Sequence, residues 1–281
     1  MKKQDITYQD KLNELRLDIS HPNNRGIAFV LLEGESDIRL FRKLFDLDSC
    51  KVETIPGGKF KLEDCVSELA NIYSLIIGIR DADFIHLGIQ PYSKANMFLT
   101  DFHDMEMFLI SEDEVFSALF FEYTSLAKAI HSKVRSNIMI SIELIGYLKW
   151  LNEIENLEYN FDFGFQDLIS FANLEIDFIQ YFKRILSKSP NAKLTDSAIV
   201  LQKIKFLKET NPNSFQLTNG HDFMKALSQY VKDSGSGRVI GEDSISSSLR
   251  MAFTFEHFKL THLFSDIKSW SEMKSCILYV E

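Results

Sequence analysis

The sequence predicts an α/β fold, a Rossmann-like parallel sheet flanked by helices, followed by a mostly α-helical C-terminal domain. Between residues 27 and about 108, short apolar runs alternate with segments whose apolar residues recur every three or four positions. That alternation is typical of a parallel sheet with helical crossovers. Beyond about residue 110 only the helical spacing remains. The predicted boundaries are an N-terminal lead-in at 1–25, an α/β domain at 26–110 and a helical domain at 111–281.

Composition limits the class of protein. The chain has 281 residues, of which 45% are hydrophobic, so it can form a sizeable core. It has no apolar leader and no apolar stretch long enough to cross a membrane. Its cysteines, Cys50, Cys65 and Cys276, lack the spacing of a disulfide framework or a zinc knuckle. We therefore expect a cytoplasmic protein with no membrane partner.

The α/β half can be assigned element by element. A first strand at residues 27–33 has six consecutive apolar residues before Glu33, which suits a strand buried on both faces. Ile38, Phe41 and Leu44 then follow helical spacing. Further strands are predicted at residues 52–55, 75–79 and 97–99, with another helix through residues 62–70.

The second half reads as helices separated by Asn, Pro, Gly and Ser clusters. Their predicted ranges are residues 112–131, 134–152, 164–187, 194–209, 220–232 and 243–269. The likeliest flexible loop by composition is at residues 235–237, Gly-Ser-Gly.

Acidic residues follow the predicted strands. Glu33 ends the first strand, Asp37 lies four residues later, and Asp81 and Asp83 follow the third strand. Because parallel neighbours bring their carboxyl ends to one edge of a sheet, these side chains are expected to lie close together. Clustered carboxylates suit Mg²⁺ or Mn²⁺. Taken alone, Asp37 is better explained as a helix N-cap, and Asp81 and Asp83 as a solvated turn; the metal-site prediction rests on their occurring together.

Other residues are candidates for binding phosphate or metal. Gly57, Gly58 and Lys59 form a turn at a predicted helix start, where N–H groups and a cation can meet a phosphate. The full Walker spacing is absent, so nucleotide hydrolysis is not predicted. Lys61 and Arg80 could add to a basic rim around this turn, although taken on their own such residues are more often solvated charges. Asp101, after the fourth strand, is a candidate outer metal ligand.

Two histidines complete the candidate set. His103 and His221 are considered as residues that contact the substrate and could move a proton near neutral pH. A lone histidine more often has a structural, hydrogen-bonded role than a catalytic one.

The order of these motifs resembles the TOPRIM domain. A Glu-Gly pair follows the first strand, a glycine-bearing turn the second and Asp-x-Asp the third, and the Glu33-x-x-x-Asp37 spacing is similar to that of OLD-family nucleases. Residues 27 to about 108 look most similar to an OLD-like TOPRIM family of bacterial anti-phage loci, which includes the TOPRIM nuclease effector of the PARIS defence system.

This resemblance implies an activity. Glu33, Asp37, Asp81 and Asp83 would bind two Mg²⁺ or Mn²⁺ ions and hydrolyse a phosphodiester, with Glu33 also acting as general base or acid. The family further implies a toxin effector of abortive infection that is released from a partner ATPase, acts as a homodimer and cuts host tRNA. Nothing in composition or spacing shows the tRNA, the ATPase or the dimer.

Two rival interpretations remain. An OLD-like DNA nickase or nuclease would use the same chemistry on another substrate. A TOPRIM module that docks on an ATPase without catalysis would leave the acids inert. The net charge of −9 means that any nucleic-acid ligand must meet a local basic patch or bridging metal ions.

Overall fold

The structure, a computed structural model, describes residues 6–165, 168–233 and 240–279. The predicted loop at residues 235–237 lies outside these ranges. Backbone contacts divide the chain into two compact units. Unit 1 comprises Met1–Ala82, Gln90–Asp101 and Phe253–Glu281, and unit 2 comprises Asp83–Ile89 and Phe102–Ala252.

Unit 1 contains a four-stranded parallel sheet in the order β2-β1-β3-β4. Its strands are β1 (Ala28–Leu32), β2 (Cys50–Thr54), β3 (Ile76–Arg80) and β4 (Met97–Leu99). All four predicted strands are confirmed, and so is the parallel α/β architecture. Every residue of β1 and β3 is buried, which explains their uninterrupted apolar sequences.

The helices fall into both units. In chain order they are α1 (Tyr8–Ser20), α2 (Glu35–Leu44), α3 (Lys59–Ala70), α4 (Met105–Ser111), α5 (Asp113–Tyr123), α6 (His131–Glu155), α7 (Phe178–Lys188), α8 (Ser197–Lys208), α9 (Ser214–Leu217), α10 (Gly220–Val231), α11 (Glu242–Ala252), α12 (Phe255–Phe258) and α13 (His262–Lys274). Among the described residues, none of these helices is both long enough and apolar enough to span a lipid bilayer.

The core of unit 1 includes the predicted lead-in. Leu12, Leu15 and Ile19 of α1 are buried against Phe29 and Leu31 of β1, together with the apolar face of α3. This packing explains the amphipathic spacing of α1, because the apolar side of the helix covers part of the sheet. Within the described residues, the backbone contacts group residues 6–25 and residues 253–279 with the sheet in unit 1.

Unit 2 is mainly helical, as expected, with one exception. The predicted helix at residues 164–187 is wrong in its first half, because β5 (Ile169–Ser170) pairs antiparallel with β6 (Glu175–Ile176) before α7 begins. The predicted helix at residues 243–269 is also interrupted. Thr254 and Thr261 adopt extended backbone conformations and begin new helices, so the segment divides into α11, α12 and α13.

Candidate functional site

Glu33 and Asp81 follow adjacent parallel strands. Leu32 of β1 is in register with Ile79 of β3, so Glu33 and Asp81 extend the two strands beyond the same edge of the sheet. Neighbouring strands lie about 4.8 Å apart. Both side chains are half-buried. The fold therefore brings these two carboxylates to the edge where open α/β sheets bind ligands.

Asp37 lies in the first turn of α2, close to the end of β1. Its Oδ2 accepts a hydrogen bond from the Gly34 N–H at 3.2 Å, and its Oδ1 accepts one from the Ser36 hydroxyl at 3.0 Å. The helix begins after Gly34, and Asp37 stabilises that start from inside the first turn. Both carboxylate oxygens of Asp37 thus take part in hydrogen bonds at the start of α2.

The glycine turn after β2 lies beside Glu33. Gly57 and Gly58 have φ values of +105° and +79°, which side-chain-bearing residues rarely adopt. A Cβ atom built on Gly58 would lie 3.8 Å from Glu33 Oε1. Lys59 is the first residue of α3, whose N-terminal N–H groups begin at this turn. A carboxylate and a helix N-terminus suited to an anion are thus neighbours in unit 1.

A buried ion pair supports the backbone at Asp81. Arg80 donates from Nη1 to Glu63 Oε1 at 2.8 Å and from Nε to the Asp81 carbonyl oxygen at 2.9 Å. Tyr92 and Lys94 also donate to Glu63. Burial alone would raise the pKa of Glu63, but the bonds from Lys94, Tyr92 and Arg80 outweigh it and hold that pKa below its usual value.

The Arg80–Glu63 ion pair shows the role of Arg80 and identifies Glu63 as a residue that the sequence analysis missed. Arg80 was considered either for a basic rim or as a solvated charge, yet only 4% of it is exposed, and it is instead a structural partner of Glu63. Glu63 was not a candidate. An arginine at the end of an otherwise apolar, buried strand was the available signal, because a buried guanidinium needs an acidic partner.

Asp101 has a helix-capping role. Its two carboxylate oxygens accept hydrogen bonds from the N–H groups of His262 and Leu263, at 2.7 and 2.8 Å. These are the first residues of α13, where a negative charge is favourable. The preceding residue, Thr100, accepts from the Ala82 N–H at 3.0 Å and so ties the end of β4 to the segment after β3.

Asp83 and His103 belong to unit 2. Asp83 has a φ of +50°, and its N–H donates to the His103 carbonyl oxygen at 2.6 Å. The His103 ring is buried, contacts Phe84 edge to face at 4.6 Å and lies 3.2 Å from the Gln216 carbonyl oxygen through Nδ1. Burial lowers the pKa of His103, against the opposing charge of Asp83. These contacts are those of a structural histidine.

His221 stands at the start of α10, next to buried acids. Its ring is exposed, and Nδ1 lies 3.3 Å from Glu242 Oε2.

Asp104 caps α4 and accepts a hydrogen bond from the Gly220 N–H at 2.7 Å, while Asp222 pairs with Lys149 at 2.5 Å. Asp104 is therefore the N-cap residue of α4.

The carboxylates of unit 1 fit a hard divalent cation by their chemistry. Glu33, Asp37 and Asp81 offer only oxygen ligands, which Mg²⁺ and Mn²⁺ prefer. Across the described ranges, however, no three His, Cys, Asp or Glu side chains are already grouped closely enough to hold a metal ion. A bound ion would have to draw the three carboxylates together.

The comparisons with known proteins add no relative. No protein-family model matches this chain, and no curated protein matches it.

Proposed function

We propose that this chain is a Mg²⁺- or Mn²⁺-dependent TOPRIM-type nuclease. The observation that carries the proposal is the placement of Glu33 and Asp81 beyond adjacent parallel strands, with the Gly57-Gly58 turn beside Glu33. A carboxylate pair and an anion-binding helix start at one sheet edge are the parts that phosphodiester hydrolysis requires. The resemblance to OLD-like TOPRIM proteins, which rests on the same motifs, favours the same chemistry.

Each residue of unit 1 has a role in this proposal. Glu33, Asp37 and Asp81 would hold the divalent ions, which when bound lower the pKa of a water molecule and neutralise charge on phosphate oxygens. Glu33 would also accept a proton as general base. The N–H groups at the start of α3 and the Lys59 ammonium would receive the phosphate oxygens. The assignment of Asp83 as a further ligand stays a prediction.

The biological setting rests on the resemblance alone. It favours RNA, specifically host tRNA, as the substrate, and an anti-phage effector that is released from a partner ATPase and acts as a homodimer. A nucleic-acid substrate must approach a chain of net charge −9, so bound cations are needed at the catalytic edge. Strong dependence of activity on divalent metal is the direct consequence.

A second candidate is a TOPRIM module that docks on a partner without catalysis. The observation in its favour is that the described residues contain no group of three side chains already grouped for a metal ion. Calorimetry with Mn²⁺ separates the two candidates. Binding that Asp81→Asn weakens supports the nuclease, whereas no binding by the intact chain supports the docking module.

The test of activity uses total tRNA and supercoiled plasmid, each incubated with the purified chain and Mg²⁺ or Mn²⁺. The matched variants are Glu33→Gln and Glu272→Gln, which remove the same charge from unit 1, the second at an exposed site on α13. Discrete tRNA fragments from the intact chain and the Glu272→Gln control, but not from Glu33→Gln, would support the proposal. Nicked plasmid with intact tRNA would favour the DNA nuclease, and equal cutting by Glu33→Gln would contradict the catalytic assignment.

A further inference from the structure

A cavity of about 380 Å³ lies beside the Glu33 carboxylate in unit 1. Its wall is formed by Ile6 and one side of α1, by one side of α2 from its first turn to its last, and by the end of β2 with the two residues that follow. The volume is within the ~300–1,000 Å³ typical of small-molecule sites. The glycine turn and Lys59, which the proposed function assigns to phosphate, are not part of its lining.

The charge of the lining argues against phosphate as its occupant. The cavity is bordered by the glutamates Glu14, Glu33, Glu35 and Glu53 but only by two cations, Lys11 and Arg42. Lys11 already forms two ion pairs, because its ammonium lies 3.0 Å from a carboxylate oxygen of Glu14 and 3.0 Å from one of Glu53. An anionic group placed here would be repelled, whereas carboxylate oxygens readily accept N–H donors.

The remaining lining suits a flat apolar ring. Ile38 and Arg42 lie four residues apart on α2 and therefore share one helix face. The Arg42 guanidinium donates to the Val52 carbonyl oxygen at 3.3 Å, which ties it to the edge strand β2. Ile55 and Pro56 form the other apolar wall. Guanidinium planes and apolar side chains are surfaces on which nucleobases stack.

We infer that this cavity receives one base of the polynucleotide, next to a phosphate bound at the start of α3, and that it prefers bases with an exocyclic amino group. The inference rests on the proposed function, since it takes the substrate to be a polynucleotide. The amino group of adenine, cytosine or guanine donates to a glutamate of the lining, while the ring lies between Ile38 and the Ile55-Pro56 wall. Phosphates stay outside, at the start of α3.

The experiment measures binding rather than cleavage. The full chain carrying Asp81→Asn, a residue outside the cavity lining, is titrated into short fluorescein-labelled single-stranded RNAs with Mg²⁺ present. The probes are oligo(A), oligo(C), oligo(U) and a ribose-phosphate oligomer of the same length without bases. We expect oligo(A) and oligo(C) to bind about tenfold more tightly than the abasic oligomer, with oligo(U) in between.

Matched variants locate the effect in the cavity. Arg42→Ala and Arg39→Ala remove the same charge from exposed sites on α2, but only Arg42 lines the cavity. Arg42→Ala should weaken oligo(A) binding about fivefold relative to Arg39→Ala and leave abasic binding equal in the two variants. Ile38→Ala provides a second test that changes no charge, and thermal melting of each variant verifies folding.

Several outcomes would overturn the inference. They are equal binding of abasic and base-bearing oligomers, equal effects of Arg42→Ala and Arg39→Ala, or displacement of oligo(A) by spermidine but not by adenosine. Failure of the proposed function gives a different result: no cleavage and no Mn²⁺ binding by the chain with Asp81 intact. Base-selective binding that depends on Arg42 but comes without cleavage would retain the cavity as a nucleobase site and reject the nuclease.

Discussion

Carboxylates in the two units have different surroundings. In unit 1, Glu33, Asp37 and Asp81 are half-buried at or near the carboxyl ends of β1 and β3. In unit 2, Asp104 and Asp222 are only 5% and 4% exposed. The residues of the first group are partly exposed to solvent. The second group is enclosed by protein atoms.

The partners of the buried acids show what they do. Asp104 accepts N–H groups from Met107 and Gly220, and Asp222 pairs with Lys149. A buried carboxylate is tolerated only with such partners, so the acids of unit 2 stabilise the connections between helices. The role of an acidic residue therefore depends on its exposure and on its hydrogen-bond and ion-pair partners, and the residue type alone does not indicate it.

The largest expected effect is on activity and comes from unit 1. Glu33→Gln removes the charge that binds metal and accepts the proton, so the rate of tRNA cleavage should fall by about 10²–10⁴-fold. The free energy of unfolding should change by less than about 1 kcal/mol, because the side chain is half-buried and the substitution is nearly isosteric. Cleavage assays and urea denaturation measure the two quantities. Unchanged tRNA cleavage by the Glu33→Gln variant would contradict a catalytic role for Glu33.

The next effect is on stability and comes from unit 2. Asp222→Ala leaves the Lys149 ammonium without its carboxylate partner, with only 17% of the Lys149 side chain exposed. Breaking such a pair costs about 3–5 kcal/mol of unfolding free energy. Asp243→Ala on the exposed surface of α11 is the control and should change stability by less than about 0.5 kcal/mol. Equal urea midpoints for the two variants would contradict a structural role for Asp222.

A pH dependence should distinguish the buried acids further. Burial raises the pKa of Asp104 from 3.8 to about 6, although the N–H groups of Met107 and Gly220 oppose the rise. Because the folded state holds this proton more tightly, Asp104 favours folding at low pH, and the contribution is lost as pH rises through about 6. Relative to Asp104→Asn, the wild type should lose up to about 3 kcal/mol of unfolding free energy between pH 4 and pH 7.

Urea denaturation of both proteins across this pH range gives the difference directly. Asp243→Asn serves as the control for the loss of one negative charge. A difference between wild type and Asp104→Asn that stays constant from pH 4 to pH 7 would show that Asp104 has no raised pKa in the folded chain.

The parallel sheet could be predicted because burial shapes its sequence. Residues 28–32 and 76–80 are buried throughout, and this leaves nearly continuous apolar runs bounded by turn residues. The short strand Met97–Leu99 was also found, because its neighbours are polar on both sides. The positions of Glu33 and Asp81 then followed from strand placement.

The contacts that decide each acid's role could not be predicted in the same way. Asp101 caps a helix that begins 161 residues later in the chain, and no local spacing records that pairing. Likewise, Glu63 and Arg80 meet from different elements. The β5–β6 hairpin was missed for a local reason: Leu174 adopts a φ of +55° in its turn, a conformation that a leucine gives no reason to expect.

The smallest expected effect concerns Asp101, the half-buried acid of unit 1 that the structure assigns to capping. Asp101→Ala removes the acceptor for the first N–H groups of α13 and should cost about 1 kcal/mol of unfolding free energy. Mn²⁺ affinity, measured by calorimetry, should stay within about twofold of the wild type. Asp48→Ala, an exposed acid of the same unit, is the control for lost charge. A large loss of Mn²⁺ affinity with unchanged stability would contradict the capping role. It would show instead that Asp101 binds metal together with the other half-buried acids of unit 1.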